Sequence, residues 1–210
     1  MTSERPGTLS AESFSALYAD RADPWGLEAG WYEDRKRACV LAALPEPRFR
    51  RAFEPGCANG ALSELLAPRC DELLCCDPAV RPVETTRARL AAWPGVRVEQ
   101  MSTPHQWPSG SFDLIVASEL VYYLDAADRD AFWTAVEGSL EPGGTLLAVH
   151  WVRAAPDYPV EGTQVHDELA ERPGLERIVA HLEADFRLEV HTRVPPAARS
   201  VALRTGLRAG

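Results

Sequence analysis

This 210-residue chain contains no apolar run near the roughly 20 residues that a membrane span requires. Its first ten residues, MTSERPGTLS, lack the apolar centre of a secretory signal. Both absences predict a cytoplasmic protein that does not act in a membrane. Positive charge is in deficit. Lys and Arg number 22 against 31 Asp and Glu, so the net charge is −9 and phosphate backbones or anionic lipid are excluded as natural partners. Cysteine is scarce and unpaired: Cys39, Cys57, Cys70, Cys75 and Cys76 are odd in number and form no C-x-x-C. That pattern predicts reduced, buried thiols rather than disulfides, and no metal site, because zinc needs paired ligand spacing. Cys75 and Cys76 are adjacent in an apolar run, so on a strand they must face opposite sides. What remains, 46% apolar and 25% charged residues, is a globular composition long enough for one α/β domain.

The pattern predicts a helix over residues 10–18, a turn at Asp23-Pro24-Trp25-Gly26, and a second helix over 31–44, stopped by Pro45. From residue 50 onward strands and helices alternate. Strands are expected at 50–54, 72–77 (ELLCCD), 96–100, 112–118 (FDLIVAS) and 145–151. Helices are expected at 61–67, 82–92 and 126–139, the last capped by Asp125. Glu141-Pro142-Gly143-Gly144 reads as a turn. Helical pieces at 166–170 and 175–184 precede a final strand pair, 186–193 with 200–204. Such alternation implies a parallel sheet wound on both faces, with ligands beyond the carboxyl ends of the strands.

The segment Glu54-Pro55-Gly56-Cys57-Ala58-Asn59-Gly60 lies between the first strand and a helix, and its glycines permit close backbone approach to a ligand. A P-loop is excluded by the missing Gly-Lys-Ser/Thr ending. A dinucleotide fingerprint would need glycine at 58 and 61, and both are alanine, which disfavours a nicotinamide-dependent reductase. Asp77 ends the second strand, where an acid can accept hydrogen bonds from both ribose hydroxyls or simply cap the next helix. Glu54, Gly56, Gly60 and Asp77 together favour a nucleoside-type ligand.

E-x-G-x-A-x-G, the acid ending the next strand, GSFDLIVASELVYYL and LEPGGTLLAV resemble the class I S-adenosylmethionine-dependent methyltransferases over about residues 50–151. DPWGLEAGWYEDRKRACVLAALP, FEPGCANG, SELVYYL and the VHDEL segment extend the resemblance to the nodulation-protein-S-like (NodS) methyltransferases, whose type member N-methylates an amino sugar in a chitooligosaccharide. The resemblance implies a single Rossmann-like domain over residues 1–210. In it a mostly parallel sheet with an antiparallel C-terminal strand (46–205) would lie under a helical N-terminal lid (1–45), with a tail at 206–210. It further implies that Glu54, Gly56, Cys57, Ala58 and Gly60 pack on the methionyl and ribose parts of S-adenosylmethionine, and that Asp77 with Pro78 holds the ribose. Met101 and Ser102 would flank the adenine, although Ser102 stands where many members carry an acid. Ser118 and Glu119 would border the methionyl group.

Read residue by residue, Tyr32, Arg35 and Lys36 share one helix face and could receive the cofactor carboxylate, or form an ordinary basic surface. Trp25 and Tyr18 could close a lid or be core aromatics. Methyl transfer is an in-line displacement that mainly needs alignment and exclusion of water; a base is required only where the acceptor loses a proton. His150, ending the fifth strand, is the first candidate for that base, with a structural histidine as the alternative. Glu119 is the second, or a holder of an ammonium. Tyr122, Tyr123, Trp151 and His166 are candidate acceptor contacts. The expected activity is methylation of a small polar acceptor, foremost the amine of an amino sugar, giving S-adenosylhomocysteine. O- or C-methylation of a natural-product scaffold and a non-catalytic cofactor-binding regulator are the rivals. The oligomeric state stays open.

Overall fold

The computed structural model describes residues 7–155 and 157–207, so the start of the expected lid and the end of the expected tail lie outside the described residues. Helix α1 (Ala11–Asp20) starts where the Ser10 hydroxyl accepts the Ser13 N–H, and α2 (Trp31–Ala43) follows a loop that carries Trp25. Then come β1 (Phe49–Pro55), α3 (Ala61–Leu66), a 3₁₀ turn (Ala67–Arg69), β2 (Cys70–Asp77), α4 (Val80–Arg89) and β3 (Val96–Gln100). The second half runs through β4 (Phe112–Ser118), a 3₁₀ turn (Val121–Tyr123), α5 (Ala126–Ser139), β5 (Leu140–Trp151), α6 (Gly162–Ala170), β6 (Leu175–Leu182), β7 (Phe186–Arg193) and α7 (Val201–Arg204).

The seven strands form one sheet in the order β3-β2-β1-β4-β5-β7-β6, and β7 runs antiparallel to both its neighbours. Side-chain alternation splits the continuous apolar strands between two cores. Ile115, Ala117, Leu146 and Ala148 pack with Phe132 and Val136 of α5 and Val165 and Leu169 of α6. Leu114, Val116, Leu147 and Val149 pack with Val40 of α2, Leu62 and Leu66 of α3 and Val83 of α4. Cys76 belongs to the first core and Cys75 to the second, as the strand period requires. All five thiols are free. Among the described residues no helix is long and apolar enough to cross a membrane.

Three sequence expectations need correction. Residues 175–184 do not form a helix but the edge strand β6. The register shifts between Arg177 and Val179, and this bulge brings the adjacent Ile178 and Val179 both against the same core, imitating helical spacing. Residues 200–204 are not a strand but the short helix α7, begun by Ser200, whose hydroxyl accepts the Leu203 N–H. Glu141–Gly144 is not a connection before the fifth strand. Phe112 pairs with Leu140 and Leu114 with Thr145, so these residues bulge within β5, with Gly143 at φ 78°.

The strand order reverses between β1 and β4, and the carboxyl ends of these strands open the crevice in which such sheets bind ligands. α1, α2 and the loop between them lie over that crevice. Phe14 and Trp25 pack on Tyr123, with ring centroids 5.2 and 6.4 Å apart.

Candidate functional site

A cavity of about 560 Å³ occupies the crevice, lined by the loop after β1, the ends of β2, β4 and β5, and the lid. The floor is the Gly56–Gly60 turn. The Cys57 N–H donates to the Cys76 carbonyl at 2.8 Å, and the Thr86 hydroxyl of α4 donates to the Ala58 carbonyl at 2.8 Å. Gly60 has φ 79°, and a Cβ there would stand 2.8 Å from the Thr86 methyl. Gly60→Ala should therefore dislodge Thr86 from Ala58 and lower stability by about 1–3 kcal/mol, measured by urea unfolding. The described non-glycine residues with positive φ are Ala58 (49°) and Glu119 (52°), and both line the cavity. Such backbone persists only where surrounding contacts hold it.

Asp77 faces the cavity from the end of β2. Its carboxylate accepts the N–H groups of Ala58 (3.2 Å) and Ala79 (3.0 Å), which leaves further lone pairs for a ligand. Burial, opposed by those two amides, pushes its pKa up to about 6. Glu54 lies deeper, bonded by the Ser63 hydroxyl, and burial raises it to about 7. Two residues of the cavity lining carry a buried polar atom with no protein partner, Tyr32 at its hydroxyl and Asn59 at its side-chain nitrogen. Buried polar groups are ordinarily satisfied, so each is free to turn to a polar ligand.

Glu119 closes the other end. One oxygen accepts Lys36 Nζ at 2.9 Å; the other accepts the Tyr122 hydroxyl at 2.7 Å and the Trp151 N–H at 2.8 Å. Lys36 also meets Glu33 at 2.9 Å. Burial works against the Lys36 charge, but the two carboxylates outweigh it and raise its pKa. Tyr122 stacks on Tyr158 at 4.9 Å, and the Tyr123 hydroxyl reaches that of Tyr158 at 3.2 Å, completing an aromatic wall. Burial drives the Tyr122 and Tyr123 hydroxyls well above the usual phenol range, so both remain neutral donors.

Of the residues singled out in the sequence, Trp25, Tyr32, Glu54, Gly56, Cys57, Ala58, Asp77, Pro78, Ser118, Glu119, Tyr122, Tyr123 and Trp151 line this cavity. Gly60 shapes its floor from below. Arg35 does not line it. On α2 Tyr32 and Lys36 share the inward face, while Arg35 turns out to Glu183 at 2.7 Å with 41% of its side chain exposed. Met101 and Ser102 also lie off the cavity wall. Met101 packs on the first core, with its N–H on the Asp77 carbonyl, and the Ser102 N–H is taken by Gln106. His150 and His166 have no exposed surface and stand behind the wall. Burial drives His150 well below the usual imidazole range and His166 in the same direction, the opposite of a base poised near neutrality. Glu33, Asn59 and Tyr158 were not singled out as site residues, while Lys36, named with Tyr32 and Arg35, does line the cavity. For Asn59 the clue was its place inside the glycine turn. Outside the cavity Cys39, His181 and Glu183 come within 4.8 Å of one another, but the Arg35 guanidinium already occupies the place of a cation there.

A family model described as Nodulation protein S (NodS) matches residues 15–146, more than half of the chain. The chain belongs to the NodS family. Nodulation protein S of Rhizobium tropici is 34% identical over 150 residues, covering 67% of this chain and 61% of that relative. Its counterpart in Bradyrhizobium diazoefficiens is 33% identical over 132 residues, 60% of this chain and 61% of the relative. The match thus spans about six tenths of these curated NodS proteins. A Pseudomonas syringae protein crystallised as a candidate methyltransferase is 52% identical over 78% of this chain and all of its own, with TM-score 0.70. The N-methyltransferase NodS of Bradyrhizobium japonicum WM9, crystallised with S-adenosyl-L-homocysteine, is 26% identical, covers 87% of this chain and 97% of its own, and superposes with TM-score 0.76. The NodS family and the Rossmann-like sheet are those that the sequence resemblance implies.

Proposed function

We propose that this chain is an S-adenosylmethionine-dependent N-methyltransferase acting on a small polar acceptor, the amine of an amino sugar or a related metabolite. The observation that carries the reading is the cavity at the β1/β4 reversal. It has an acid at the end of β2, two lining residues with an unpartnered polar atom and an aromatic, carboxylate-bearing far end. It lies in a chain of the NodS family, one of whose members was crystallised with S-adenosyl-L-homocysteine.

The residues fit that group. Asp77 accepts from the ribose hydroxyls, and the Gly56–Gly60 turn leaves room beside the backbone. Tyr32 and Asn59 would offer it the hydroxyl and the amide that find no partner in the protein. When bound, S-adenosylmethionine supplies an activated methyl on a sulfonium sulfur, so the chain needs only to align the acceptor and exclude water. Tyr122, Tyr123, Tyr158 and Trp151 form a dry wall at Glu119. A carboxylate has about four lone-pair sites, and Lys36, Tyr122 and Trp151 take three of Glu119's. The remaining one can accept an N–H of the acceptor amine and turn its lone pair inward. His150 does not line the cavity, so this reading gives it no contact with the acceptor.

Two measurements test the reading. A thermal-shift screen should show stabilisation by S-adenosylmethionine and S-adenosylhomocysteine but not by NAD or ATP. Incubation with S-adenosylmethionine and amino-sugar acceptors should give S-adenosylhomocysteine and a product whose fragments carry one added methyl on nitrogen. A methyl found only on oxygen or carbon would assign the fold to the rival chemistry. Binding without turnover of any acceptor would favour a regulatory partner.

A further inference from the structure

Behind the cavity wall runs a line of buried polar groups that the proposed chemistry does not use. Val121 begins the 3₁₀ turn directly after Glu119 and Leu120, and its N–H points at His150 Nε2, 3.3 Å away. His150 Nδ1 lies 3.2 Å from His166 Nε2, and His166 Nδ1 lies 3.0 Å from Glu189 Oε2. His150, His166 and Glu189 are each 0% exposed. The other Glu189 oxygen accepts from Arg177 at 2.6 Å and from Arg187 at 2.9 and 3.1 Å. Hydrogen bonds from His166 and His191, then from Arg187, hold Glu189 far below the usual carboxylate range despite its burial. The close fit of α6 makes the line possible. At Gly162 a Cβ would fall 3.0 Å from that of His150 and 2.0 Å from the Trp151 carbonyl oxygen, so only glycine lets the helix approach and bring His166, one turn on, to His150.

The hydrogen positions along this line follow from its first member. A backbone N–H can only donate, so His150 Nε2 must carry a lone pair. A neutral His150 then bears its proton on Nδ1 and donates it to His166 Nε2. His166 in turn bears its proton on Nδ1 and donates to Glu189. A doubly protonated His166 would donate to His150 Nδ1, force the His150 proton onto Nε2 and set it against the Val121 N–H. The line ends on an amide that releases no proton, so it orients and does not conduct.

We propose that Glu189, His166 and His150 are positioning residues that hold the Val121 N–H, and through it fix the Glu119–Tyr122 segment at the cavity wall in its positive-φ conformation. The groups facing the two rings are Glu189, Arg187, His191 and Lys36, with Tyr122 edge-on to His150 at 5.4 Å. The kinetic consequence rests on the proposed methyl transfer; the tautomer does not.

The test has two arms. Nitrogen-15 NMR of the histidine rings in the wild-type chain, which needs no substrate, should find His150 and His166 neutral with the proton on Nδ1 between about pH 6 and 8. A proton on His150 Nε2, or an imidazolium at His166, overturns the proposal whether or not the protein methylates anything. In the kinetic arm, His150→Gln keeps an oxygen near the Nε2 position, whereas His150→Leu keeps nothing. His150→Leu should lose about ten- to a hundredfold in kcat with S-adenosylhomocysteine affinity within about twofold of wild type. His150→Gln should recover most of the loss and keep the wild-type pH profile. If His150→Gln is as slow as His150→Leu, or loses a limb of the pH profile, or if His150→Leu is as fast as wild type, positioning is the wrong role. Should His150→Leu fail to fold, the NMR and His150→Gln decide alone.

Discussion

Asp77→Ala is expected to weaken S-adenosylhomocysteine binding by about a hundredfold or more, measured by calorimetry at pH 7.5. Two hydrogen bonds to a buried carboxylate are lost, each worth about 1.5–3 kcal/mol. The N–H groups of Ala58 and Ala79 also lose their acceptor, which loosens the glycine turn. Asp77→Asn separates charge from shape through pH. The folded pKa is about 6 against an ordinary 3.8, so between those values the native state holds more protons than the unfolded one. Stability of the ligand-free protein then falls as pH rises through this window, by up to about 3 kcal/mol from this group. The stability difference between Asp77→Asn and wild type should shift in the variant's favour from about pH 4 to 7. Ribose hydroxyls donate best to the ionised acid, so wild-type affinity should climb through about pH 6 while that of Asp77→Asn shows no such rise. Wild-type affinity in Asp77→Ala would remove Asp77 from the ribose.

Glu119→Ala is expected to reduce turnover by at least about a hundredfold and to cost about 2–4 kcal/mol of stability. The second figure starts lower than the roughly 3–5 kcal/mol for orphaning a buried charge, because Lys36 keeps Glu33 at 2.9 Å. The Tyr122 hydroxyl and the Trp151 N–H would each lose a bond, and the positive-φ backbone at 119 would lose the side chain that anchors it. Glu119→Gln keeps an acceptor and the shape but not the charge. It should recover most of the stability and little of the turnover if the carboxylate meets the acceptor amine. Equal recovery of both, by urea unfolding and steady-state kinetics, would make Glu119 a purely architectural residue.

The fold was legible wherever one element answered to one physical pattern. β3, β4, α5 and β7 match the expected boundaries, because each is bounded by turn or cap residues and buried on a predictable face. β6 was not legible, since a bulge put Ile178 and Val179 on one side and only pairing with β7 distinguishes that from a helix. The site divided in the same way. Glycine turn, strand-end acid and Glu119 lie at chain positions set by the parallel sheet, so sequence order alone placed them on the cavity. Whether Arg35 or Lys36 of one helix faces inward depends on a rotation of α2 that its neighbours fix. His150 sits at the correct strand end but behind the wall, because α6 closes over it at Gly162, a packing event with no local signature.

The most direct measurement is a crystal structure of this chain grown with S-adenosylhomocysteine. The ribose hydroxyls should lie on the Asp77 carboxylate, with the sulfur in the cavity toward Glu119. A nucleoside bound anywhere else, or an empty cavity at saturating ligand, would contradict the account.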